Sequence, residues 1–321
     1  MTGPNTSHRI GSGKPWNRRD VLIGSVAGFG ALALDAHFPA LAATAPHRFK
    51  HGAFEIMVVS DGHMVVRTSL LAPGAPNEER AAMLRTAGQT GEQYNSPTNA
   101  TLIRTPNDLI LIDAGAGPNF MPTTGKLIEN LEAGGIKKEQ ITKIVLTHAH
   151  ADHLWGVIDN LDDIQFPNAS YVIPAAEWDF WTSDDALKKL PEERHSFVTG
   201  AKRCFARIKD KVIRVKGGDD IAPGLRVLDT SGHSPGHISI EVAGGDGLIV
   251  GGDAITHYLL SFRYPGWPSQ GDQDNDLAAI TRKRLLDRLA ADKTRLIGFH
   301  LPFPGVGVVE RKDGAYRFVT A

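Results

Sequence analysis

Four side chains that commonly bind metal ions follow directly on an apolar, β-branched run, and this combination constrains the fold more than any other feature. Residues 141–147 (ITKIVLT) predict a buried strand, which leads into His148, His150, Asp152 and His153. On an extended backbone His148 and His150 point to the same side, and a turn after them directs Asp152 and His153 towards a second point. A chance polar loop is the alternative, but imidazoles beside a buried strand need partners. The segment therefore predicts a core strand that ends at a metal site.

Short strands and helices alternate from residue 54 onwards. Strands are predicted over residues 54–59, 100–104, 109–113, 141–147, 171–173, 211–215, 225–229, 238–242, 248–252 and 295–299, and helices over 126–133, 192–209 and 274–291. The apolar face of the last helix is assigned to Leu277, Ile280, Leu285, Leu286 and Leu289. The second half of the chain resembles the first, which predicts an α/β fold with two sheets packed together and helices outside. The polar clusters lie at strand ends, where α/β proteins place their sites.

Composition narrows the classes of partner and chemistry. The chain has 321 residues, of which 41% are hydrophobic, enough for one sizeable core. Its formal net charge is -1 and it has no basic stripe, so we expect no nucleic-acid partner. The single cysteine, Cys204, rules out an internal disulfide and a cysteine-rich zinc cluster. No Gly-x-Ser-x-Gly motif supplies a serine nucleophile.

The N-terminal segment has the pattern of an export signal. Arg18 and Arg19 precede an apolar run over residues 21–34, which is shorter than the about 20 residues that a membrane span needs. The paired arginines resemble a twin-arginine signal, and small residues at 40–42 and 43–45 offer cleavage sites. We therefore expect residues 1–42 to be a signal peptide, with cleavage up to residue 45, that engages the export machinery. Residues 43–321 would then form one domain, periplasmic or secreted; an uncleaved membrane anchor is the alternative.

The pattern His-x-His-x-Asp-His at a strand end resembles the signature of the metallo-β-lactamase fold superfamily. Further motifs follow in the order of that superfamily: Asp113-Ala-Gly115, the loop from Ser231 to His237, Gly251-Gly-Asp253 and Phe299-His300. The resemblance covers roughly residues 54–320. Within the superfamily, residues 99–117 and the ending His300-Leu-Pro-Phe-Pro-Gly305 look most similar to methyl parathion hydrolase and its lactonase- and arylesterase-like relatives.

This resemblance implies a fold and a ligand set. The fold is an αββα sandwich, in which two mixed sheets pack face to face with helices outside. One of two divalent metal ions would bind His148, His150 and His237, the other would bind Asp152, His153 and His300, and Asp253 would bridge them. Zinc is the expected metal, with iron and manganese left open. His233 matches a position that does not bind metal, and Asp113 matches one that supports the ligand loops.

The same resemblance implies hydrolysis. Asp152 and Asp253 balance only part of the charge of two divalent cations, so a bridging hydroxide can exist at neutral pH and act as nucleophile. Both carboxylates are therefore assigned as catalytic, and the expected substrates are lactones, aryl esters or phosphotriesters. A β-lactamase-like amide hydrolase is disfavoured, because β-lactamases of this fold generally lack the bridging carboxylate. A non-catalytic metal-binding protein is the alternative from a different class.

Aromatic residues are the candidates for a substrate pocket. They are Phe120, Trp178, Trp181, Phe197, Tyr258, Phe262 and Trp267, with ordinary core packing as the alternative for each. Many lactonases of this fold carry a tyrosine three residues after the bridging aspartate, where this chain has Thr256, and Tyr258 is the candidate to replace it. We therefore expect a small, neutral, aromatic substrate. Whether the chain forms a homodimer is left open.

Overall fold

The computed structural model describes residues 44–321, so the predicted signal peptide, residues 1–42, lies outside the described residues. Strands β1 to β7 form the first sheet: His47–His51, Phe54–Arg67, Gln93–Arg104, Leu109–Ile112, Lys143–Val145, Ser170–Pro174 and Val212–Val215. Strands β8 to β14 form the second: Asp220–Ala222, Leu225–Asp229, Ile238–Val242, Leu248–Val250, Arg295–Ile297, Val306–Lys312 and Ala315–Thr320. Helices α1 to α8 span Asn77–Thr86, Leu127–Ala133, Ala151–Leu154, Ala175–Thr182, Ala186–Lys189, His195–Ile208, Leu260–Arg263 and Asn275–Asp292.

Both sheets are mixed, and their strands lie in sequence order. In the first sheet β1 to β4 pair antiparallel, whereas β4 to β7 run parallel. In the second sheet only β11 and β12 pair in parallel. Parallel neighbours bring their carboxyl ends to one edge, and the ligand segments follow β5, β11 and β12. The topology therefore places residues that are far apart in the chain at one end of the sandwich.

Three apolar layers hold the sandwich together. Residues such as Ile56, Ile103, Val227 and Leu248 fill the space between the two sheets. The outer face of the first sheet packs against α2, α4 and α6. The outer face of the second sheet packs against α8. The predicted αββα arrangement is confirmed, because each sheet is covered by its partner on one face and by helices on the other.

Helix α8 differs from the prediction in the face that it buries. Leu285, Leu286 and Leu289 are buried as expected, but Leu277 is 41% exposed and Ile280 is 65% exposed. The buried face instead continues through Ala278, Thr281 and Arg282. The guanidinium of Arg282 donates to the backbone carbonyls of Ala254, Pro265 and Trp267 and to the Asp272 carboxylate. These bonds allow a cation to occupy a position that hydrophobicity alone would give to a leucine.

Within residues 44–321 no helix has both the length and the apolar character that crossing a membrane requires. The predicted elements are present with shifted ends, except that β2 and β3 are much longer than expected. Strand β2 continues past Val59 through a bulge between Ser60 and Gly62 and ends at Arg67. This extension carries Met64 to Arg67 to the wall of the cavity described below.

Candidate metal centre

Two histidines from the β5 loop and one from the β9–β10 loop form the first group of potential ligands. His148 and His150 follow β5, and His233 comes from the loop that joins β9 and β10. His233 Nε2 lies 3.0 Å from His150 Nδ1. The rings of His148 and His233 have centroids 4.9 Å apart. All three side chains are buried, so a single cation could be bound by three imidazoles.

The second group consists of Asp152, His153 and His300. His153 Nε2 lies 3.4 Å from Asp152 Oδ2, and His300 Nε2 lies 3.3 Å from the same oxygen. Asp152 and His153 are in the short helix α3, and His300 follows β12. Helix α3 begins directly after His150. The rings of His148 and His153 have centroids 4.1 Å apart, so the two groups adjoin.

The carboxylate of Asp253 lies between the two groups. Its Oδ1 is 3.3 Å from His153 Nε2, and its Oδ2 is 3.1 Å from His300 Nε2 and 3.3 Å from His233 Nε2. One carboxylate is therefore in reach of ligands from both groups. A carboxylate in this position can contact ligands of both groups at once.

The donor atoms fit divalent cations. Among residues 44–321, His148 Nε2, Asp152 Oδ2, His153 Nε2 and Asp253 Oδ1 are buried and have no hydrogen-bond partner. Burial opposes protonation of His300, but Asp253 and Asp152 together raise its pKa to about 10. Carboxylates that draw a proton into this cluster attract a metal cation in the same way. Imidazole nitrogen and carboxylate oxygen are ligands that zinc accepts.

The structure groups His233, rather than the predicted ligand His237, with His148 and His150. His237 Nε2 accepts the backbone N–H of Asp253 at 2.8 Å, and its Nδ1 lies 2.8 Å from Thr230 Oγ1. Both ring nitrogens are therefore engaged within the protein. A Cβ on Gly252 would lie 2.7 Å from His237 Nε2, so this ring packs against the turn that positions Asp253. The two histidines belong to one loop, and only the tertiary contacts distinguish them.

Three of the potential ligands are oriented through their other ring nitrogen. His153 Nδ1 lies 2.7 Å from Asp113 Oδ2, and His233 Nδ1 lies 2.9 Å from Asp272 Oδ1. His300 Nδ1 lies 2.7 Å from the Pro97 carbonyl oxygen. Each partner accepts a hydrogen bond from Nδ1–H, and the lone pair of Nε2 is then free to face the cluster. The sequence predicted the supporting role of Asp113, whereas Asp272 has no motif and was missed.

Glu177 links the two histidine loops through hydrogen bonds, and no sequence motif marks it. Its carboxylate accepts from the backbone N–H of Ala149 at 3.0 Å and of Gly236 at 2.7 Å. It also accepts from Ser234 Oγ at 2.6 Å and from Trp181 Nε1 at 2.8 Å. Glu177 is fully buried in α4. The segment AAEWDFWT holds two acids, Glu177 and Asp179, and nothing in the sequence marks Glu177 as the one with this role.

A cavity of about 380 Å³ opens onto the cluster. Its floor includes His150, Asp152, His233, Asp253 and His300. Its walls are largely apolar and include Met64, Val66, Leu70, Leu71, Phe120, Met121 and Phe197. Arg194 also lines the cavity, but its guanidinium donates to the carbonyls of Gln270 and Gly271. The cavity therefore suits a molecule with a polar reacting centre and an apolar substituent.

Two of the predicted pocket residues, Phe120 and Phe197, line this cavity, and five do not. The rings of the other five pack elsewhere: Trp178, Trp181, Tyr258, Phe262 and Trp267. Trp181 is buried beneath His150, and Trp178 packs on Phe205. The other three rings contact His257, Phe318 and Tyr264, respectively. Most of these seven aromatic residues therefore pack against other side chains instead of lining the cavity.

The chain has recognisable relatives. The family model described as Metallo-beta-lactamase superfamily matches residues 94–300. The probable metallo-hydrolase YqjP of Bacillus subtilis (strain 168) is 34% identical over 213 residues, which make up 62% of this chain and 64% of that protein. The chain thus matches less than two thirds of the length of its curated relatives.

Two solved structures are similar over almost their whole length. AidC, a dizinc quorum-quenching lactonase in complex with the product N-hexanoyl-L-homoserine, has a TM-score of 0.81 and 29% identity. The similarity covers 86% of this chain and 97% of AidC. The hydrolase AbOPH of the beta lactamase superfamily has a TM-score of 0.81 and 30% identity, covering 87% of this chain and 98% of AbOPH.

Proposed function

Since this chain belongs to the metallo-beta-lactamase superfamily, we propose that it is a hydrolase that uses two divalent metal ions to cleave lactones or esters. Zinc is the expected metal. His148, His150 and His233 would hold one ion, and Asp152, His153 and His300 would hold the other. Asp253 would bridge them. The single observation that carries this proposal is the position of the Asp253 carboxylate, within 3.3 Å of histidine nitrogens from both groups.

The chemistry follows from this ligand set. When bound, two divalent cations lower the pKa of water to about 7 and stabilise negative charge that develops on a substrate oxygen. Among residues 44–321, Asp152 and Asp253 are the two carboxylates that line the cavity, so they compensate half of the four positive charges. Asp113 and Asp272 keep the Nε2 lone pairs of His153 and His233 directed at the ions. Phe120 and Phe197 exclude water from one side of the cavity.

The walls favour a substrate with an apolar substituent. Aliphatic side chains from β2 and the following turn cover one side, and the two phenylalanines cover another. Because AidC binds an N-hexanoyl product, we place a lactone with an aliphatic acyl chain first. Aryl esters follow, and phosphotriesters come third, on the motif resemblance to methyl parathion hydrolase. A metal-binding protein without turnover is the second candidate, because it needs the same ligands.

A substrate panel tests the activity. The panel holds N-hexanoyl-L-homoserine lactone, 4-nitrophenyl butyrate, the phosphotriester methyl parathion and benzylpenicillin. We expect the zinc-loaded protein to cleave the lactone and the aryl ester, and to cleave benzylpenicillin much more slowly. Lack of turnover on the lactone, the aryl ester and the phosphotriester alike would contradict the hydrolase and support a metal-binding protein without turnover. Elemental analysis should give about two metal ions per chain.

A matched pair of variants tests the ligand set. His233→Ala should retain about one ion instead of two, because it removes a nitrogen from the first group. His237→Ala should retain both, since both ring nitrogens of His237 are hydrogen-bonded within the protein. Loss of an ion from folded His237→Ala protein, together with full metal content in His233→Ala, would restore the sequence-based assignment and contradict ours.

A further inference from the structure

His257 lies in the wall of the same cavity and is not part of either ligand group. Its side chain is 1% exposed. Nδ1 accepts the backbone N–H groups of Leu259 at 3.1 Å and Leu260 at 3.2 Å. An imidazole nitrogen that accepts two backbone hydrogen bonds carries no proton. The neutral ring must therefore carry its proton on Nε2.

The ring stays neutral under ordinary conditions, since burial lowers the pKa of His257 to about 3. Nε2–H is then a fixed donor rather than a group that exchanges its proton with the substrate. Within residues 44–321 this atom is buried and has no hydrogen-bond partner. Buried donors without an acceptor cost free energy, and they are rare in folded proteins. Because His257 lines the cavity, a molecule bound there can supply the missing acceptor.

The orientation of the ring is fixed from several sides. The ring centroid of Tyr94 lies 4.8 Å from that of His257. The ring of Tyr258 stacks on His257, with centroids 5.1 Å apart and an interplanar angle of 16°. Tyr258 is itself anchored, because its hydroxyl accepts a hydrogen bond from Gln89 Nε2 at 3.0 Å. The backbone N–H of His257 donates to Ser261 Oγ at 3.1 Å. With Nδ1 occupied by the backbone, Nε2 is the only polar atom of the side chain that can meet a ligand.

We propose that Nε2–H of His257 donates a hydrogen bond to the carbonyl or phosphoryl oxygen of the substrate in this cavity, an inference that rests on the proposed function. A preorganised neutral donor of this kind stabilises the negative charge that develops on that oxygen when it is attacked. His257 is four residues after Asp253, so the donor and the bridging carboxylate come from one turn of the chain. Tyr258 serves this donor indirectly, by packing against it.

Two substitutions separate the donor from its structural role. Asn at position 257 can accept the N–H groups of Leu259 and Leu260 as His257 does, because Asn favours this local side chain to backbone bonding. Asn cannot present a donor at the position of Nε2. Gln reaches that position with its amide N–H. His257→Asn therefore preserves the turn and removes the donor, whereas His257→Gln keeps a donor.

The readout is kcat/KM for N-hexanoyl-L-homoserine lactone and 4-nitrophenyl butyrate, together with Tm and metal content. We expect His257→Asn to keep the metal content and Tm of the wild type and to lose about 10- to 1000-fold in kcat/KM, chiefly in kcat. His257→Gln should recover part of that loss. Tyr264→Phe is the control and should leave kcat/KM unchanged, since Tyr264 stacks on Trp267 and does not line the cavity.

A second readout does not depend on turnover. In ¹⁵N-labelled protein, N-hexanoyl-L-homoserine should shift the His257 Nε2–H resonance downfield. Wild-type kcat/KM in folded His257→Asn, with no such shift, would overturn the inference and leave the proposed hydrolase intact. A wild-type protein that cleaves no member of the panel would overturn the proposed function, and this inference with it.

Discussion

Replacing Glu177 by Gln should loosen the two histidine loops at once. Oε1 accepts from Ser234 Oγ and the Gly236 N–H, and Oε2 accepts from the Ala149 N–H and Trp181 Nε1. Gln retains one oxygen and replaces the other by an amide N–H₂, which cannot accept. Two donors on that side therefore lose their acceptor, and the new N–H₂ points at them.

The magnitude follows from those two unpaired donors. Each buried donor without an acceptor costs about 1–3 kcal/mol, so the substitution should cost about 2–6 kcal/mol of unfolding free energy. Burial raises the pKa of Glu177, which shows that its charge is desolvated. Because the neutral Gln avoids that cost, we expect a loss of unfolding free energy near the lower end of this range. Even that value is a large part of the about 5–15 kcal/mol that stabilises a typical protein.

Urea unfolding of the metal-free protein measures this cost, and a zinc titration measures its effect on the site. We expect a lower transition midpoint for Glu177→Gln and weaker zinc binding, because Ala149 and Ser234 adjoin potential ligands. Glu193→Gln is the matched control, since Glu193 is exposed and should change neither quantity. An unchanged midpoint and unchanged zinc affinity in Glu177→Gln would refute the idea that this carboxylate couples the loops.

Two further predictions concern other parts of the chain. In α8, Leu286→Ala should cost about 2–5 kcal/mol in urea unfolding. Ile280→Ala, at 65% exposure, should change stability by less than about 0.5 kcal/mol; equal costs would contradict the burial of this helix. For export, we propose that Arg18→Lys with Arg19→Lys leaves the precursor in the cytoplasm, as cell fractionation would show. Undiminished periplasmic delivery would favour an ordinary secretory signal.

Much of the fold and of the site could be predicted from sequence, because the relevant signals are local. An apolar strand followed by His148, His150, Asp152 and His153 fixes, through the alternation of side chains, which residues can face one point. Asp253 and His300 each follow an apolar run, so the ends of strands identified them too. The order of strands and helices was enough to predict two sheets with outer helices.

Contacts between distant segments decided the rest. His233 and His237 are four residues apart in one loop, and their hydrogen-bond partners distinguish them. Asp272 orients His233 towards the cluster, whereas His237 accepts the backbone N–H of Asp253. The buried face of α8 differs from the predicted apolar face because it includes Arg282, which pairs with that same Asp272. The sequence by itself determined which side chains stand at strand ends. The tertiary structure decided which of them meet, because hydrogen-bond partners far apart in the chain leave no periodic pattern in the sequence.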